Sequence, residues 1–140
     1  MSSPWQPRRW KEKARRLTPD RRRGIGLRGE TIAALFLRLK GYRIEARNWR
    51  CSLGEIDIVA RDGDTVVFVE VKSRTGPSAG APEEAVTTTK QRRLVQLAMA
   101  YLAKRGGDVP CRFDVVTVAI ALPVPRVRHF RAAFRADGLI

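Results

Sequence analysis

Residues 54–73 read GEIDIVARDGDTVVFVEVKS, two β-type runs joined at Asp62-Gly63. An Asp-Gly pair between alternating apolar residues is a strong short-range hairpin signal. With Asp62 and Gly63 in the two turn positions, Arg61 opposes Asp64, Asp57 lies opposite Phe68, and Glu55 lies opposite Glu70. Period-two alternation then places Glu55, Asp57, Glu70 and Lys72 on one face. Ile56, Ile58, Val67, Val69 and Val71 form the other, which reads as a core face. Opposed like charges destabilise a sheet by up to about 1 kcal/mol. That cost is removed if a hard cation sits among them, and magnesium (or manganese) suits such oxygen donors. The pattern therefore nominates Asp57 and Glu70 as metal ligands, with Glu55 as an outer acid. Lys72, two residues beyond Glu70 and pointing the same way, can orient a water or offset charge on phosphorus. The competing reading is a solvent-facing sheet surface, because an acid-x-Lys tripeptide is common in ordinary hairpins. The distinguishing feature is Asp57, thirteen residues upstream of Glu70 and matched in face.

Working outward, the spacing predicts a helix from about Leu27 to Lys40, apolar around most of its circumference and stopped at Gly41. Tyr42–Trp49 reads as a strand, with Tyr42, Ile44 and Ala46 on one face and Arg43, Glu45 and Arg47 on the other. A Gly/Pro/Ser-rich loop, Thr75–Pro82, leads to a second helix from about Glu83 to Lys104. Thr87, Thr88 or Thr89 can cap this helix, which would then begin later. Leu94, Leu97, Tyr101 and Leu102 make its apolar stripe, and projecting the stripe back by four places Lys90 towards the acids. Lys90 is thus a candidate phosphate contact, with Arg74, Arg92 and Arg93 as further nucleic-acid-binding candidates. Phe113–Ile120 is apolar on both faces, as a doubly covered central strand would be. Arg128–Phe134 follows two prolines and reads as an edge strand. Asp114 is expected to pair with an arginine. His129, without a serine or cysteine motif nearby, reads as a packing or surface residue. The order αβββαββ makes this an α/β chain with a mixed central sheet and helices packed on it.

The chain has 140 residues, 44% of them hydrophobic, and a net charge of +14. One domain with a real core is the default at this length. Ten Lys/Arg against two acids fall in residues 1–28. Residues 1–24 read as a basic, flexible leader and 25–140 as a single domain. Trp5 and Trp10 in the leader suit either base stacking or packing on the domain. Basic side chains displace counterions from phosphates, so nucleic acid is the natural partner. No apolar run is long enough to cross a membrane, and the N-terminal stretch lacks the core of a secretory signal. A cytoplasmic protein with no membrane partner is expected. Cys51 and Cys111 lack zinc-site spacing and read as reduced thiols.

Asp57…Glu70-Val71-Lys72 on a hairpin after a helix resembles the PD-(D/E)xK nuclease superfamily, near its Holliday-junction-resolvase-like branch. More closely, Gly29-Glu30, RNWR at 47–50, GEIDIVA at 54–60, VFVEVKSR at 67–74 and FDVV at 113–116 resemble the YraN-type uncharacterised bacterial family. The resemblance spans roughly Leu27 to Ile120. It implies a restriction-endonuclease-like αβββαβ core, to which the last strand is an extra C-terminal edge. It also implies Asp57 and Glu70 as magnesium ligands, Lys72 as the catalytic lysine and Glu30 as a catalytic carboxylate brought in by the helix. Ile56 stands where the superfamily motif often has proline. For Glu30 there is a plainer explanation, since an acid in the first turn of a helix is favoured by the macrodipole. The implied activity is a magnesium-dependent endonuclease acting on DNA rather than RNA, with branched or structured DNA among its candidate substrates. The alternative is a nucleic-acid-binding module that keeps the fold without cutting. A homodimer is expected by analogy with resolvases.

Overall fold

The computed structural model describes residues 19–74, 86–120 and 123–136, with residues 19–27 as backbone alone. The leader to residue 18, including Trp5 and Trp10, and the loop expected at Thr75–Pro82 lie outside the described residues. The element order is α1 (Pro19–Leu39), β1 (Arg43–Cys51), β2 (Gly54–Asp62), β3 (Thr65–Arg74), α2 (Thr88–Arg105), β4 (Cys111–Ala119) and β5 (Arg126–Phe134). The strands form one sheet in sequence order. Only β3 and β4 pair in parallel, which the α2 crossover makes geometrically necessary, and the other three pairings are antiparallel. This is the αβββαβ core with mixed sheet and added C-terminal edge strand that the sequence predicts.

Each helix covers one face of the sheet. Ala33, Ala34 and Leu37 of α1 pack on Ile58, Ala60, Val67, Val69, Val71, Val116 and Val118. Leu94, Val95, Leu97, Ala98 and Tyr101 of α2 pack on Val59, Val66, Phe68, Phe113 and Val115. β4, between β3 and β5, is the doubly covered strand expected of it. α1 begins at Pro19 rather than near Leu27, with proline in the first turn, where its missing N–H costs nothing. Its end is a Schellman motif. Gly41 has φ 93°, Tyr42 N–H donates to Leu37 O, and Gly41 N–H donates to Arg38 O. Leu35 and Leu39 face outward, so α1 is less fully covered than its composition suggests. α2 starts at Thr88, with the Thr87 side chain accepting from Lys90 N–H, so threonine capping replaces the start at Glu83.

Two register details differ from the sequence reading, and both bear on the site. Asp62 pairs with Thr65, which makes Gly63 and Asp64 the turn residues. Gly63 takes φ 61°, and a two-residue turn with glycine first accepts that conformation at no steric cost. The hairpin partners therefore shift: Val59 lies opposite Phe68 and Ile58 opposite Val69. Continuing that register puts Asp57, not Glu55, level with Glu70. The second detail is in β1. A bulge between Ile44 and Ala46, followed by Asn48 at φ 53°, breaks its alternation twice. Ile44 packs on the α1 side, whereas Ala46 and Trp49 pack on the α2 side. Asn48 and Asp57 lie between the pairs Arg47–Ile58 and Trp49–Ile56. There β2 turns over as well: Ile56 packs with Trp49 on the α2 side while Ile58 packs on the α1 side. The single core face expected for Ile56, Ile58, Val67, Val69 and Val71 is therefore interrupted beside Asp57.

At Gly29, α1 approaches β3 too closely for a side chain. A methyl there would overlap Ser73 Oγ and lie 2.7 Å from Ser73 Cβ, whereas Ser73 Cα is 3.9 Å away. Overpacking of this kind typically costs about 1–3 kcal/mol. Gly29→Ala is expected to lower stability by that order in denaturant titration, and Ser73→Gly added to it should recover part of the loss. Equal stability of Gly29→Ala and the parent would contradict this packing.

Candidate active site

The site is built where the β2–β3 ladder stops. Beyond the pair Ile58–Val69, the Asp57 side chain takes over from the backbone: Val71 N–H donates to Asp57 Oδ2 at 2.9 Å. This bond fixes one carboxylate oxygen against β3, beside Glu70. Asp57 is half-buried as a residue, yet its carboxyl group is deeply enclosed. Burial pushes its pKa well above the ordinary aspartate value; Glu70 adds to the rise, as do Glu30 and Glu55, and the Val71 N–H opposes it. Glu70 is 5% exposed, and burial pushes it up to about 8. Lys90 opposes that rise most, Glu55 and Glu30 add to it, and Lys72 also opposes it. Glu70 Oε2 is buried and has no hydrogen-bond partner.

Glu30 reaches this cluster from α1. One carboxylate oxygen from each of Glu30, Glu55 and Asp57 lies within 4.8 Å of the others. Glu30 is in the middle of α1, far beyond the first turn. The macrodipole explanation, which holds only within that turn, no longer applies. Glu55 stands within this carboxylate group and also pairs with Arg50 at 3.2 Å. Lys72 is buried on β3, and Lys90 stands in the first turn of α2, close enough to act on Glu70. The set expected from the sequence, Glu30, Glu55, Asp57, Glu70, Lys72 and Lys90, is thus gathered from α1, β2, β3 and α2.

The remaining candidates lie further along the same elements. Arg74 ends β3 half-buried, and its carbonyl accepts Ile120 N–H at 2.8 Å. On α2, Arg92 is exposed and Arg93 half-buried. Ser73, which follows the lysine, packs on Gly29. Thr117 was not anticipated. It is 1% exposed, its Oγ1 has no hydrogen-bond partner, and it lies level with Lys72 across the β3–β4 pair. Only its position as a lone hydroxyl in an apolar strand marks it in the sequence.

The donor set fits a hard divalent cation. The ligand atoms grouped within 4.8 Å are carboxylate oxygens of Glu30, Glu55 and Asp57; Glu70 is outside that group but acts on Asp57, and its Oε2 is buried without a partner. Around magnesium, at about 2.1 Å per ligand, adjacent oxygens stand about 3 Å apart and opposed ones about 4 Å.

A second buried aspartate shows the opposite electrostatics. Asp114 accepts from Arg112 Nε at 2.8 Å, Arg112 Nη2 at 2.9 Å and Ala132 N–H at 3.0 Å. His129 Nε2 lies 2.7 Å from its other oxygen side, at Oδ2. Lys40 Nζ, which can only donate, stands 2.8 Å from His129 Nδ1. Nδ1 is therefore the acceptor and Nε2–H the donor to Asp114. Burial alone would raise Asp114, but the bonds from His129 and Arg112 outweigh it and hold its pKa below the usual range. The expected arginine partner is present, and His129 is a packing residue with its side chain 2% exposed. Asp114 is a satisfied structural acid; Asp57 and Glu70 are not.

The sequence profile of the uncharacterised protein family UPF0102 matches residues 29–118, which hold all six gathered residues. Three similar chains carry that family description. One from Symbiobacterium thermophilum is 58% identical over 119 residues, covering 81% of this chain and 98% of its own. One from Geobacter sulfurreducens is 50% identical over 112 residues, covering 79% and 88%. One from Anaeromyxobacter dehalogenans is 48% identical over 120 residues, covering 85% and 90%.

Folding holds a proton on an acid whose pKa rises on burial. Glu70 therefore stabilises the metal-free chain fully below its ordinary 4.5, and this contribution is lost as pH rises towards about 8. Asp57 acts in the same direction. The melting temperature of chelator-treated protein should fall across that window. Glu70→Gln should flatten the fall, and added magnesium should offset it. A profile identical in the parent and in Glu70→Gln would contradict the assignment.

Proposed function

We propose that this chain, which belongs to the UPF0102 family, is a magnesium-dependent nuclease that hydrolyses phosphodiester bonds in DNA. The observation that carries this reading is the carboxylate group of Glu30, Glu55 and Asp57 next to Glu70, whose buried Oε2 has no hydrogen-bond partner and on which Lys72 and Lys90 act. Burial and mutual repulsion raise Asp57 and Glu70. Perturbation by desolvation and charge neighbours is a mark of functional sites. When bound, magnesium (or manganese) polarises the phosphodiester and lowers the pKa of its bound water. Asp57, Glu70 and Glu55 would hold it, and Glu30, on a separate element, would complete the oxygen set.

The chain's own groups then do the rest. A water oxygen forms a bond to phosphorus and gives up one proton, one P–O ester bond breaks, and the leaving oxygen takes up one proton, so that water is added across the broken bond. The Lys72 ammonium offsets the charge that grows on the phosphoryl oxygens. Lys90, at the start of α2 and acting on Glu70, would meet a neighbouring phosphate, and Arg74, Arg92 and Arg93 add attraction for the flanking backbone. The net charge of +14 supplies salt-dependent affinity for the polymer. No helix among the described residues is long and apolar enough to cross a membrane. Junctions and flaps are the substrates of first choice, and a two-fold homodimer would present two such sites to a junction.

Purified protein should cut at least one of duplex, flap, junction and single-stranded DNA when given magnesium or manganese. Glu70→Ala and Lys72→Ala should each lower the rate by about 10²-fold or more while DNA binding persists. Binding by the parent without cutting anywhere in the panel would indicate a non-catalytic module instead. An active double variant would falsify the assignment of these residues.

A further inference from the structure

Among the described residues, the buried polar atoms without hydrogen-bond partners include Glu70 Oε2 and Thr117 Oγ1, both on the α2-covered face of the sheet. They flank Lys72 from two directions. Glu70 is two residues before Lys72 on β3, and Thr117 is its cross-strand partner on β4. Glu70 itself is level with Val115, which packs under α2, so alternation puts Lys72 and Thr117 on that same face. Adjacent strands stand about 4.8 Å apart, within easy reach of a lysine side chain. An orphaned buried hydroxyl is costly to leave unsatisfied and calls for a partner that arrives in another state of the site.

We infer that Thr117 is a positioning residue for Lys72, its Oγ1 accepting a hydrogen bond from the Lys72 ammonium when a divalent cation occupies the carboxylates. This inference rests on the metal-dependent reading above. Glu70 and Lys72 stand two residues apart on the same face of β3. A cation on the carboxylates brings a second positive charge close to the Lys72 ammonium, and the two repel. The ammonium then turns sideways towards β4. Val115 offers it only an apolar side chain, and Val116 and Val118 pack on the opposite face. The Thr117 hydroxyl is the side-chain acceptor on that side. Arg128 of β5, level with Thr117 from the other direction, can only donate, and its guanidinium lies over the Phe130 ring. Thr117 thus holds the ammonium off the carboxylates and towards the place of the phosphate.

The test uses the full chain with ¹⁵N-labelled lysine side chains and follows the Lys72 Nζ resonance, assigned with Lys72→Arg, with and without magnesium. Magnesium uptake is measured calorimetrically on the same samples. In the parent, magnesium should shift the Lys72 signal and slow its proton exchange severalfold. Thr117→Val should take up magnesium equally yet lose both effects, and Thr117→Ser should restore them. In cleavage assays the valine variant should lower kcat with KM unchanged. Should the valine variant misfold, Thr117→Ala supports the same comparison. Magnesium uptake with identical Lys72 behaviour in parent and Thr117→Val overturns this role and leaves the metal centre standing. Loss of magnesium uptake in Thr117→Val also overturns it, because the residue would then act on the ligands. Absence of uptake by the parent overturns the metal reading and this inference together.

Discussion

One hydrogen bond sets the terms for the rest of the site. Val71 N–H donates to the Asp57 carboxylate at the point where the β2–β3 ladder ends. A side chain there does what a backbone carbonyl would otherwise do, and so an acid is fixed inside a sheet covered by helices on both faces. Once Asp57 is held there, Glu70 cannot move away, because it belongs to β3 itself. Glu30 arrives on α1, whose close approach depends on the missing side chain at Gly29. Each element thus brings charge to a place from which water is largely excluded.

The energetic meaning is clearest from a comparison of Asp114 with Asp57, whose carboxyl groups are both enclosed. Asp114 is surrounded by donors from Arg112, His129 and the Ala132 backbone, and its charged form is favoured. Asp57 has one backbone donor and several acidic neighbours, and its charged form is disfavoured. Stability alone explains the first arrangement. It does not explain the second, in which burial and like charge act together against folding above neutral pH. Such an arrangement is relieved by a bound cation, whose binding then also drives deprotonation. Strain retained at one site and satisfied elsewhere is the pattern expected of a functional centre.

Much of this was legible from residue pattern. The hairpin, both helices, the central strand and the edge strand follow from periodicity and from Gly41 and Gly63 as punctuation. Alternation and spacing alone put Asp57, Glu70 and Lys72 close together on the hairpin. The local conformation of the hairpin was less legible. Asp-Gly suggested the turn, but Gly63 occupies its first position, which moves Asp57 level with Glu70. Left-handed Asn48 and the bulge at Ile44/Ala46 reverse the faces of β1, a change that no apolar count reveals. Glu30 looked like a first-turn acid because the helix start at Pro19 was hidden in an arginine-rich stretch. The Asp114, His129 and Lys40 chain joins residues far apart in sequence, so only Asp114's need for a partner could be foreseen.

The central physical claim is that the Asp57–Glu70 carboxylates are tolerable because a divalent cation binds them. Calorimetric titration of magnesium into the full chain near pH 7, in two buffers of different ionisation enthalpy, tests it most directly. Binding at this centre requires uptake of at least one ion per chain, release of protons to the buffer, and loss of both in Asp57→Asn. A flat titration, with DNA present or absent, would contradict it.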